Sequence, residues 1–142
     1  MSWCEVPPSP TLQLTVGGDE WWVGRSYRVS AFYETPESCT YVPPQHPTVQ
    51  SGMMEHVGTV SATLHVSYLP PPDTLVVYPS ETIILTGSLY CQPACLPVTS
   101  AGFLSGNALG TWIPKYPGTA VLWAECCGLR SNTVEVNVVG PY

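Results

Sequence analysis

Apolar and polar residues alternate with period two along most of this chain. The clearest run is TVSATLHVSYL (Thr59–Leu69). Val60, Ala62, Leu64, Val66 and Tyr68 fall on one face, with Thr59, Ser61, Thr63, His65 and Ser67 on the other. Five matches to that period, with no competing helical period, predict a half-buried strand. TLQLTV (Thr11–Val16) puts Leu12, Leu14 and Val16 together before the turn residues Gly17-Gly18-Asp19, and SYRVSAFYE (Ser26–Glu34) aligns Tyr27, Val29, Ala31 and Tyr33. TLVVYPSETIILTGSLYC reads as two strands around Pro79-Ser80, the second placing Ile83, Leu85, Leu89 and Cys91 on one face. TAVLWAECC (Thr119–Cys127) and NTVEVNVV (Asn132–Val139) close the series. Their connection reads either as Gly128–Ser131 or as Gly128-Leu129 alone, with Arg130 already in the last strand.

No segment carries a helical face of ten or more residues, and short strands with frequent Gly and Pro turns predict an all-β antiparallel sandwich or barrel. Pro7, Pro8 and Pro10 make residues 1–10 an extended arm with no strand pattern of its own. Pro70-Pro71-Pro72-Asp73 divides the remainder into β-rich halves, 11–72 and 73–142, or punctuates one continuous domain. Gly-Thr opens both GTVSATLHV and GTAVLWAEC, a faint echo between the halves. Cys39–Gly58 and Ser100–Gly110 read as loops.

Composition narrows the function more than the fold. Apolar residues make up 44% of the chain, enough for a packed core, but charged residues only 10%. Lys115, Arg25, Arg28 and Arg130 are its whole basic complement, against a net charge of −6. That leaves no electrostatic footprint for nucleic acid or an anionic membrane. No apolar run approaches the ~18 residues of a spanning helix. MSWCEVPPSP lacks the basic and apolar regions of a signal peptide, so synthesis in the cytosol is expected.

Candidate chemistry is sparse. His46, His56 and His65 form no ligand pair, and Asp19 and Asp73 both fall in turns. Glu125 and Glu135 face each other only across a final hairpin. No nucleophile elbow or phosphate-binding glycine loop occurs, so the expectation is no catalytic residues, no metal and no cofactor. Low charge together with Trp3, Pro7, Pro8, Pro10, Trp21, Trp22 and Trp123 suggests interface contacts instead, because amphipathic rings and preformed extended backbone suit docking.

YPGTAVLWAECCGLRSNTVEVNVV (Tyr116–Val139) resembles the last two strands of immunoglobulin-like modules, and ETIILTGSLYC (Glu81–Cys91) resembles their earlier cysteine-bearing strand. The resemblance covers about half the chain. It implies a core tryptophan, for which Trp112 is the candidate, and an inter-sheet pair Cys91–Cys126. Those two cysteines share the apolar faces of their strands, while Cys127 would point away from Cys126. Cys4, Cys39 and Cys95 complete the six cysteines, and buried free thiols or zinc are the alternatives to disulfides. Size, acidity, a proline-rich arm and absent enzyme motifs are also similar to head decoration proteins of tailed phages. That similarity implies a virion component made in the host cytoplasm, a homotrimer bound to the major capsid protein. A surface-exposed adhesion or carbohydrate-binding module is the alternative.

Overall fold

Alternating residues become strand throughout the computed structural model, which describes residues 3–4, 6–40, 55–69, 77–96 and 101–140. The strands are β1 (Trp3–Cys4), β2 (Thr11–Val16), β3 (Trp21–Trp22), β4 (Tyr27–Thr40), β5 (Glu55–Tyr68), β6 (Glu81–Pro93) and β7 (Cys95–Leu96). They continue with β8 (Ala101–Trp112), β9 (Gly118–Cys126), β10 (Leu129–Arg130) and β11 (Val134–Val139). No helix occurs among the described residues. The expected all-β class is correct.

Among the described residues nine strands form one sheet in the order β2-β4-β8-β6-β5-β9-β11-β3, with β10 beside β9, and only β11–β3 is parallel. The sheet curls until its ends meet. Asn132 staples them: its Oδ1 accepts from Leu14 N at 2.7 Å, and its Nδ2 donates to Leu14 O at 3.2 Å. One side-chain amide thus supplies the ladder bonds that a neighbouring strand would give β2.

The concave face is the core. Val60, Ala62, Leu64, Val66 and Tyr68 of β5 are all buried, as their alternation requires, and they meet Leu12 and Leu14, Val29 and Ala31, Leu85, Leu122 and Val136. Trp112 is fully buried at the end of β8, the core position expected of it.

Five expectations need correction. Ser100–Gly110 is no loop: Ala101–Trp112 is a strand, paired on both sides between β4 and β6. Its inward glycines made it look irregular, yet neighbours lean into those positions; a Cβ on Gly110 would collide with Leu85 Cδ2. The last turn consists of Cys127 and Gly128, since Leu129 already pairs with Cys126. Both turn residues have positive φ (62° and 80°), the requirement of a two-residue type I′ hairpin. The strand expected before Pro79 is absent over residues 77–80, and its earlier part lies outside the described residues. So do residues 41–54 of the expected first long loop, whose remainder from Glu55 is strand.

The fifth correction is the disulfide. Cys91 pairs with Cys39, Cα–Cα 6.0 Å, and Cys126 pairs with Cys127. Cys91 and Cys126 do face the core, at 0% and 5% exposure, so the face assignment holds and the height along the strands does not. Cys91 lies opposite Glu55 on β5, whereas Thr63 lies opposite Glu125, which puts Cys126 at the level of Ala62. Seven residues of strand separate the two levels, on the order of 20 Å. The Cys39–Cys91 link instead crosses above Gly102 of β8, where only hydrogen leaves room for sulfur. Joining residues 52 apart, it contributes about 4 kcal/mol on a loop-entropy account.

Candidate binding groove

Outward side chains of β4, β8 and β6 form a grid on the convex face. Phe32 lies opposite Asn107, and Glu34 opposite Ser105; across the other edge of β8, Tyr90 lies opposite Ser105 and Gln92 opposite Phe103. Large rings therefore stand on the flanking strands, while Ser105, Asn107 and Ser88 are small. Gly87 and Gly106 also line it, and a Cβ on either would collide with the backbone of the neighbouring strand. The result is a groove of about 430 Å³ lined by Phe32, Tyr90, Leu109 and these polar side chains. That size is typical of ligand sites.

Its polar groups are ordered. Gln92 Nε2 donates to Ser105 Oγ at 2.5 Å, and Ser30 Oγ donates to Asn107 Oδ1 at 3.2 Å. The second bond holds the Asn107 amide by its oxygen. Among the described residues no carboxylate, lysine, arginine, histidine or cysteine lines the groove. It can stack and hydrogen-bond a neutral surface, but its lining offers no acid–base pair. At one end a smaller cleft adjoins it, lined by Val6, Pro7, Glu34, Gln92 and Phe103.

Sequence reasoning flagged none of these residues except Pro7. Gly/Ser composition hid β8, and without β8 the juxtaposition of Phe32 with Tyr90 could not be read. The flagged residues are spread over the molecule. Trp3 pairs through its backbone with Leu96, so the arm returns to its own chain there, and Pro8 and Pro10 are exposed. Trp21 packs against the core, its Nε1 without a hydrogen-bond partner. Trp22, beside it at the sheet edge, contacts Glu20 through Nε1 at 3.3 Å, and the Arg25 guanidinium lies 5.4 Å from its ring. Trp123 is covered by its own neighbours: His65 stacks at 4.1 Å and the Arg130 guanidinium lies 3.9 Å from the ring centroid. A ring with both neighbours in place is poorly suited to sugar stacking. Among the described residues no group of three His, Cys, Asp or Glu could hold a metal ion.

No family model and no curated protein matches the chain. Among solved structures, an alkylpurine DNA glycosylase of Pseudomonas fluorescens, AlkC, bound to DNA containing an abasic site analogue, matches with a TM-score of 0.50 at 12% identity. The match covers 92% of this chain and 30% of the glycosylase chain. A β-glucosidase from Listeria innocua in complex with gluconolactone matches with a TM-score of 0.43 at 12% identity, over 94% of this chain and 16% of that one. This chain spans less than a third of either. At such identity the glycosylase likeness concerns the fold alone.

Proposed function

We propose that this chain is a non-enzymatic structural module that decorates and stabilises a phage capsid through protein–protein contacts, made by the convex face of β4, β8 and β6. The observation that carries the reading is the uncharged groove between Phe32 and Tyr90, which continues into exposed Leu109 (48%) and Ile84 (63%). Solvent-exposed apolar side chains around a pocket are what partner anchors fill. A net charge of −6 with few charges of either sign fits a subunit docked on a shell better than a free monomer. Disulfides fit a particle that leaves the reducing cytosol. The immunoglobulin-like resemblance of the C-terminal half, and the similarity to decoration proteins, supply the rest; a homotrimer is the expected form and the major capsid protein the expected partner.

The test is light scattering of the purified chain, followed by co-sedimentation with capsid shells. Phe32→Ala combined with Tyr90→Ala should weaken shell binding by about tenfold or more while leaving the circular dichroism spectrum unchanged. A monodisperse monomer with no affinity for any shell ends this reading. The alternative, a carbohydrate-binding module, is favoured by one observation, the oriented Asn107 amide beside Phe32. Glycan binding abolished by the same double substitution would select it.

A further inference from the structure

A second feature lies away from the groove, at the tip of the β9–β10 hairpin. Consecutive residues of a strand point to opposite faces, which would keep Cys126 and Cys127 apart. Here β9 ends at Cys126, and Cys127 enters the left-handed region at φ 62°, bringing the two sulfurs into one cystine. The chain's two described cystines differ in kind. Cys39–Cys91 joins residues 52 apart, with Cys91 fully buried above Gly102. Cys126–Cys127 joins immediate neighbours, so it closes no loop of the unfolded chain and ties no two elements together. Stability gives no reason for it. Access also differs: Cys127 is exposed in an open cleft of about 470 Å³ that Glu125, Arg130 and Ser61 also line.

We infer that Cys126–Cys127 is a thiol–disulfide exchange site, reduced by low-molecular-weight thiols to a vicinal dithiol that captures thiophilic ligands. A thiolate attacks the Sγ of exposed Cys127, the S–S bond breaks, and its electron pair leaves on Cys126 Sγ, which takes a proton. A second thiolate attacks the external sulfur of this mixed disulfide, and the Cys127 thiolate departs and is protonated. Two external thiols are oxidised to one disulfide, while the protein cystine gains two electrons and two protons. In the Cys39–Cys91 link Cys91 is fully buried and Cys39 half-buried, so it is less open to the same attack.

The experiment treats the native full-length protein with glutathione, quenches with iodoacetamide at intervals, and maps labelled cysteines by peptide mass spectrometry. Cys126 and Cys127 should label together, about tenfold or more faster than Cys39 and Cys91, with the circular dichroism spectrum unchanged. The reduced protein should then bind phenylarsine oxide one to one, protecting both cysteines from label, and Cys127→Ser should lose that binding. Labelling of Cys126 and Cys127 without any thiol would overturn the inference. So would their resisting glutathione as long as Cys39 and Cys91 do, or arsenical binding that survives Cys127→Ser.

Discussion

Gly102 sits beneath the Cys39–Cys91 cystine, where an added Cβ would lie 2.6 Å from Cys91 Sγ and collide with the Gln92 carbonyl oxygen. Neither obstacle is the free end of a flexible side chain, since the sulfur is tied and the carbonyl belongs to β6. Gly102→Ala should therefore cost about 1–3 kcal/mol, the usual penalty for overpacking. Gly58→Ala is the control, because nothing lies within 4 Å of its added Cβ. It should change stability by less than about 1 kcal/mol. Denaturant midpoints of the two variants check this, and equal midpoints would mean that the strands part easily over Gly102. At this scale the sequence was readable where a residue's own type decides its place. The immunoglobulin-like resemblance makes Trp112 the candidate core tryptophan, and it is fully buried. The partner of Cys91 was not readable, because it depends on a hydrogen at residue 102 and on two strands brought together over a third.

β8 shows what pattern reading misses at the scale of elements. Four of its inward positions, Gly102, Gly106, Ala108 and Gly110, hold almost no side chain, so alternation of hydrophobicity is blurred although alternation of direction is kept. Strands that curl tightly need such small residues inside, and composition alone then resembles a turn-rich loop. β2, β5 and β9 have ordinary-sized inward residues, and their faces were legible. The closure by Asn132 was not, since an Asn before a Thr/Val-rich strand carries no sign of what it will bind. Asn132→Asp tests that closure. The acid keeps an acceptor for Leu14 N but turns a charged oxygen toward the Leu14 carbonyl, so a loss of about 1–3 kcal/mol is expected. Asn137→Asp should be nearly neutral, because its Oδ1 only accepts from Thr119 Oγ1 on the exposed face. Faster amide exchange at Leu14 in the first variant alone would locate the effect at the seam. Unchanged exchange there would show that the sheet closes without Asn132.

On the scale of the whole molecule, strand faces were legible and strand order was not, because β4-β8-β6-β5-β9 requires crossovers that alternation does not encode. One consequence of that order is a tyrosine hub at one end of the core. Tyr68 ends β5 and packs edge-on against Tyr78 and Tyr116, whose rings stack 4.5 Å apart; they come from the approach to β6 and the crossover to β9. Tyr68 Oη also accepts from Lys115 N at 3.3 Å, and Lys115 pairs with Glu81 at 2.9 Å. Burial raises the Tyr68 phenol above its ordinary value of 10.0, because a phenolate there would be desolvated, and the Glu81 carboxylate adds to the rise. Lys115 is raised as well, chiefly by its hydrogen bond to Glu81. Both groups hold their protons more tightly folded than unfolded. Their stabilisation is therefore complete below the unfolded values and is lost as pH climbs through the folded ones. Stability should hold up to about pH 10 and fall beyond it. Tyr68→Phe removes the phenol while keeping the ring contacts, so its alkaline decline should be shallower, although it starts lower for want of the bond from Lys115. Urea denaturation of both proteins across the alkaline range measures the two slopes. Parallel slopes would place the alkaline lability elsewhere than on the Tyr68 phenol.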